Sequence, residues 1–199
     1  MNNSLQAGFT SPVLQAQQSF RVLLKAMSEP ATIQTLGISQ GLEKISPATY
    51  DLLLSLCDND TVLWISPALD SLVVRQNLAF HCACPISESP QEADFALLTV
   101  DDLEVLKQLN SGTDRDPELS CTAILQLDEL YAVETKSFAT QWRGPGIEKP
   151  VQVSLDVPTN LWVIREQINQ FPCGIDMVFC EQQQLLALPR STQVIFQKD

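Results

Sequence analysis

The stretch Cys57-Asp58-Asn59-Asp60-Thr61-Val62-Leu63-Trp64-Ile65-Ser66-Pro67 holds a helix end, a strand and a helix start in succession. Asp58-Asn59-Asp60 supplies short polar side chains that compete for backbone N–H groups and breaks the apolar helix before it. Thr61 to Ile65 is an apolar, partly β-branched run and reads as a buried strand. Ser66-Pro67 then fits a helix start, with serine as the N-cap and a first-turn proline that has no N–H to leave unpaired. Helix, strand and helix in so short a space point to an α/β layer rather than a bundle or a sandwich.

The same Ser-Pro signature occurs at Ser11-Pro12 and Ser46-Pro47. After Pro12, Val13, Ala16, Phe20, Leu23, Leu24 and Met27 follow helical spacing, and Pro30 lies beyond the end. Pro47 opens a helix that Leu52, Leu53, Leu54 and Leu56 make apolar around much of its circumference, which predicts burial. Pro67 is expected to begin a helix carrying Leu69, Leu72, Val73 and Ala79, with Leu78 to Cys82 turning extended near its end. Phe95 to Val100 reads as a strand, a helix capped by Asp101 or Asp102 runs to about Asn110, and Cys121 to Leu127 is a further strand. This alternation predicts a mixed, at least partly parallel sheet with helices.

The C-terminal half changes character. Ala132 to Trp142 and Val151 to Val157 read as strands around the turn-forming loop Arg143-Gly144-Pro145-Gly146-Ile147-Glu148. Asn160 to Gln170 reads as a short helix, and Ile175 to Cys180, Leu185 to Leu188 and Gln193 to Phe196 as strands. Glu181 to Gln184 makes a tight connection between the first two of these. No internal repeat or long linker interrupts the chain, so one domain over residues 1–199 is expected.

Twelve Lys and Arg against 24 Asp and Glu give a formal charge of −12. The basic residues are scattered singly, and a duplex-binding surface needs them clustered, so neither nucleic acid nor an anionic membrane is the expected partner. A small anion needs only a few fixed donors and stays compatible. Met1 to Thr10 lacks the basic flank and apolar run of a secretory signal, and no stretch has the length of a membrane span. The six cysteines, Cys57, Cys82, Cys84, Cys121, Cys173 and Cys180, lie mostly in apolar runs; reduced thiols in a cytoplasmic protein are the expectation.

Chemistry is sparse. In Arg143 to Glu148, two glycines let backbone approach a ligand or a neighbouring segment, and Arg143 offers a forked donor to an anion. The loop lacks phosphate-loop spacing, so a sharp hairpin with a solvated Arg143 is the competing reading. In Phe171-Pro172-Cys173-Gly174-Ile175-Asp176, the proline and glycine turn the chain into a strand. Asp176 then falls where a lone carboxylate is costly, so it must accept hydrogen bonds, with Arg190 as a candidate partner. Phe80-His81-Cys82-Ala83-Cys84 holds the single histidine. Read as a strand, it sends neighbouring side chains to opposite faces, and neither a Cys–His pair nor a zinc site is expected. Asp114-Arg115-Asp116-Pro117-Glu118 reads as a solvated turn, or alternatively as a Mg²⁺ site of an independent enzyme on phosphorylated sugars using Asp116 and Glu118. No lysine sits in an apolar run fit for Schiff-base work. Phe138, Trp142 and Trp162 are candidates for an apolar partner surface.

Several segments in fixed order carry a resemblance. They are Ser19-Phe20-Arg21 through Ala26-Met27-Ser28-Glu29-Pro30, Cys57-Asp58-Asn59-Asp60-Thr61, Phe80-His81, Pro117-Glu118 with Thr122, and Gly144-Pro145-Gly146-Ile147. Phe171 to Asp176 with Leu188-Pro189-Arg190-Ser191-Thr192 completes the set. Together they resemble the phosphonate-metabolism protein H (PhnH) family from end to end. Ala31 stands where the family commonly has glycine, and Ser120-Cys121-Thr122 where it has Gly-Ala-Thr, which affects local turns only.

The resemblance implies an auxiliary subunit of the carbon–phosphorus lyase core complex, without catalytic residues, metal or cofactor of its own. That complex transfers ribose triphosphate from ATP to an alkylphosphonate, displacing adenine, with an ATP-binding-cassette-like partner, before a radical-SAM subunit cleaves the C–P bond. It also implies a fold similar to the pyridoxal-phosphate-dependent transferases with the cofactor lost, and a homodimer when isolated. Arg143, Gly144 and Gly146 are the expected ligand or partner surface, with Asp176 and Arg190 supporting the turn. A ligand-binding homodimer acting on phosphorylated sugars or nucleotides is the alternative.

Overall fold

A computed structural model describes residues 5–131 and 139–196. In chain order the elements are α1 (Pro12–Ser28), β1 (Gln34–Thr35), α2 (Pro47–Leu56), β2 (Leu63–Ile65), α3 (Leu72–His81) and β3 (Phe95–Leu98). A 3-10 helix (Val100–Gln108) follows, then β4 (Thr122–Gln126), β5 (Thr140–Arg143), β6 (Val151–Val153), α4 (Asn160–Ile168), β7 (Asp176–Glu181), β8 (Gln184–Leu188) and β9 (Gln193–Ile195).

Six strands make the main sheet in the order β1-β8-β7-β4-β3-β2. The steps from β2 to β3, β4 and β7 are parallel, and β8 and β1 add antiparallel pairs. Consecutive strand residues go to opposite faces, and both faces are covered. Leu63, Leu97, Ile124, Val178 and Ala187 meet α1, α2 and α3 on one side. Trp64, Leu98, Leu125, Phe179 and Leu188 meet the 3-10 helix, α4 and the β5 side chain Trp142 on the other. Double coverage is why these strands read as continuous apolar runs instead of alternating ones. The expected mixed α/β architecture is therefore present. A three-stranded antiparallel sheet, β6-β5-β9, lies beside α4. Of the strand expected from Ala132 to Trp142, β5 supplies the end from Thr140, and residues 132–138 lie outside the described residues.

Four local expectations are corrected. Ser66-Pro67 makes only a turn: the Leu69 and Asp70 N–H groups donate to Ser66 O at 2.9 Å each, and α3 starts later, where Ser71 Oγ accepts from Val74 N. Helix α3 stays helical through His81, so Phe80 and His81 end a helix instead of starting a strand. The 3-10 helix is capped by Thr99, not by Asp101 or Asp102; Asp102 returns a carboxylate to the Thr99 N–H at 3.1 Å. Helix α1 buries a narrow line of Ser19, Leu23 and Ala26 and leaves Val13, Phe20 and Leu24 exposed, because it touches α2, β1 and β8 along one edge only.

Five of the six cysteines are buried and all six are free thiols. Hydrogen bonding to Cys84 and burial both push the Cys57 and Cys82 thiols well up, so these two are inert neutral core groups.

Candidate functional site

Helix α4 carries Leu161, Trp162, Ile164 and Arg165 on its buried face. An arginine on that stripe must find acceptors, because a desolvated guanidinium without them is costly. The chain supplies them by returning as Pro189 to Thr192: Arg165 Nη2 donates to Pro189 O and Thr192 O, at 2.9 Å each. Arg165 is 5% exposed. Burial lowers its pKa from the usual 12.5 to about 10, against a smaller upward pull from Asp176. The group therefore stays charged at neutral pH. None of the ion pairs among the described residues includes it.

A cavity of about 400 Å³ opens beside this arginine. Its walls include Pro145, Trp162, Phe171 and Val194, and its polar lining is Arg165, Glu166, Asn169, Arg190, Ser191, Thr192 and Gln193. Asn169 Oδ1 accepts from Ile175 N at 3.0 Å, which fixes the amide orientation. Its Nδ2, together with Arg165 Nε and Thr192 Oγ1, is buried without a hydrogen-bond partner among the described residues.

The residues singled out in the sequence surround this cavity unevenly. Arg190 and Pro145 line it, whereas Arg143, Gly144, Gly146 and Asp176 do not. Arg143 is exposed, and its Nε donates at 2.8 Å to Gln193 Oε1, which itself lines the cavity. Gly144 lies against Ser191 and Thr192, where a Cβ would come within 3.2 Å of backbone. Gly146, at φ 79°, faces the end of α1, where a Cβ would stand 2.1 Å from Ser28 O. Asp176 and Arg190 do meet, but through the main chain: Arg190 N donates to Asp176 Oδ1 at 2.6 Å. The Arg190 guanidinium instead donates to Pro117 O and Ser120 Oγ.

The other candidates do not gather. His81 contacts Gln6 O at 3.0 Å, and among the described residues no group of three or more His, Cys, Asp or Glu is placed to hold a metal ion. Asp116 has Arg115 as its ion-pair neighbour at 3.8 Å, and Glu118 is exposed on a short 3-10 turn. Trp142 and Trp162 are core residues with ring centroids 6.3 Å apart, not a partner surface, and Phe138 lies outside the described residues. Sequence reading missed Arg165, Asn169 and Thr192. For Arg165 a signal was available: it lies one turn beyond Leu161, on an otherwise apolar face.

Comparison with known proteins adds two findings. The family model for bacterial phosphonate metabolism protein (PhnH) matches residues 7–195. A relative from Rhizobium meliloti (strain 1021), alpha-D-ribose 1-methylphosphonate 5-triphosphate synthase subunit PhnH, is 30% identical over 192 residues, spanning 94% of this chain and 93% of the relative.

Proposed function

The chain belongs to the PhnH family of bacterial phosphonate metabolism proteins, and on that premise we propose that it works as a subunit of alpha-D-ribose 1-methylphosphonate 5-triphosphate synthase in the carbon–phosphorus lyase pathway. The observation that carries the reading is the end-to-end match, over nearly all of both chains, to a protein named as a subunit of that synthase. The role is auxiliary: the side chains that bear chemistry here are organised to hold backbone. Arg165 holds two carbonyls, Arg190 a third, and Asp176 an amide N–H.

Three finer readings belong with it. The other synthase subunits are the partners, and a homodimer is the state of the isolated chain. The setting is cytoplasmic, which free thiols suit, and no helix among the described residues is long and apolar enough to cross a membrane. The fold is a relative of the pyridoxal-phosphate-dependent transferases with the cofactor lost; among the described residues the lysines, Lys25, Lys44, Lys107 and Lys149, are all exposed.

Native mass spectrometry of the chain co-expressed with the other subunits tests the main reading. A stable assembly of defined stoichiometry is expected, and a lone chain or dimer that ignores every partner would overturn it. Arg143, Gly144 and Gly146 are proposed as the ligand or partner surface at the rim of the cavity, with Asp176 and Arg190 bracing the turn behind it. Arg143→Ala is expected to weaken nucleotide, phosphonate or partner binding several-fold. It should shift stability by no more than about 0.5 kcal/mol, since Arg143 is exposed and bonded to one side chain. Unchanged binding in every one of these assays would remove Arg143 from the surface.

A further inference from the structure

Buried polar side-chain atoms in folded proteins nearly always have a partner, so those without one ask for an explanation. Four such atoms occur among the described residues, and three of them, Arg165 Nε, Asn169 Nδ2 and Thr192 Oγ1, belong to residues lining one cavity. Their chemistry is one-sided. The guanidinium and the amide nitrogen can only donate, and the hydroxyl donates when no donor faces it. Arg165 is also a full positive charge that enters no ion pair among the described residues. The carbonyl end of α4 opposes an anion nearby, but that dipole amounts to about half a charge against the guanidinium's whole one.

We propose that this cavity is an oxyanion site, in which Arg165, Asn169 and Thr192 bind the oxygens of a phosphate or phosphonate group carried by a small organic molecule. A tetrahedral oxyanion presents several acceptors in different directions, which is what three separate donors require. Trp162 and Phe171 border the organic part, and Glu166, exposed at the rim, selects against ligands with further negative charge on that side. The volume of about 400 Å³ falls in the range of small-ligand pockets. The site is built by folding, since Thr192 also supplies one of the carbonyls that hold Arg165 in place. The inference stands on this geometry and does not depend on assembly with partner subunits.

The test titrates inorganic phosphate and, separately, methylphosphonate into the full chain, following heat and the Arg165 Nε–H resonance. Saturable binding with movement of that resonance is expected. Arg165 itself braces backbone, so the decisive variants are others. Asn169→Asp keeps the acceptor for Ile175 N but places negative charge at the Nδ2 position; Thr192→Val removes only the hydroxyl. Each is expected to weaken binding about ten-fold or more, as for loss of a hydrogen bond to a charged group. Preference for methylphosphonate over phosphate would assign the site to phosphonates, and the reverse order to phosphate esters. No saturable binding of either probe, or binding that both variants leave unchanged, would overturn the proposal. An Asn169→Asp chain that loses both probes yet still enters the multi-subunit assembly would leave the subunit reading untouched.

Discussion

Gly146→Ala is expected to destabilise the protein by about 3–5 kcal/mol, the sum of a strained backbone and an overpacked contact. The glycine sits at φ 79°, and a Cβ there would stand 2.1 Å from Ser28 O and 2.8 Å from Pro30 Cδ. Neither neighbour is the yielding end of a long side chain. Ser28 closes α1, and a proline ring two residues on leaves little backbone freedom. Relief would mean lifting the β5–β6 connection off α1. In a chain of this size the change should lower the melting temperature on the order of 10 °C. A urea midpoint equal to the parent's would show that the loop and the helix end are not the rigid pair the geometry describes. The same variant bears on assembly, because the loop that carries Arg143 would no longer be seated.

That contact also shows what the sequence made legible. Ser28-Glu29-Pro30 and Gly144-Pro145-Gly146-Ile147 are far apart in the chain, yet they touch. Pro117 and Ser120 meet Arg190 in the same way, and Gly144 meets Ser191 and Thr192. Segments that carried a family resemblance as separate motifs are the two sides of shared joints. The strands were readable because each is a short apolar run between breakers, as Leu63–Ile65 is. Helix starts were less so. A Ser-Pro pair heads both α1 and α2, although only Ser46 caps with its side chain, and at Ser66 the pair gives only a turn, because Ser71 offers a second cap further on, where α3 begins. Arg165 was the hardest. Its place one turn beyond Leu161 sets it on the apolar face of α4, but its acceptors, Pro189 O and Thr192 O, come from a segment that returns only beyond β7 and β8 in the chain.

Asp51→Ala should be comparably severe, and its origin is different. Asp51 lies inside α2, fully buried, in the run Tyr50-Asp51-Leu52-Leu53. Its two oxygens accept from consecutive amides of the preceding loop, Ile38 N at 2.5 Å and Ser39 N at 3.0 Å. Alanine would leave two N–H groups facing a space with no acceptor. At about 1–3 kcal/mol for each unsatisfied group, the loss comes to roughly 2–6 kcal/mol. Asp51→Asn keeps one acceptor but turns an amide NH₂ toward the other N–H, so it should fall between parent and alanine. Hydrogen exchange gives the sharper readout. In the alanine variant the Ile38 and Ser39 amides should lose protection before the rest of the core does, because the carboxylate is their tether to α2. Should both amides stay protected and the urea midpoint hold, the loop would be fixed by other means. The candidates are the Leu36 N–H bond to Gln183 O and the mutual pairing of Leu42 with Ile45.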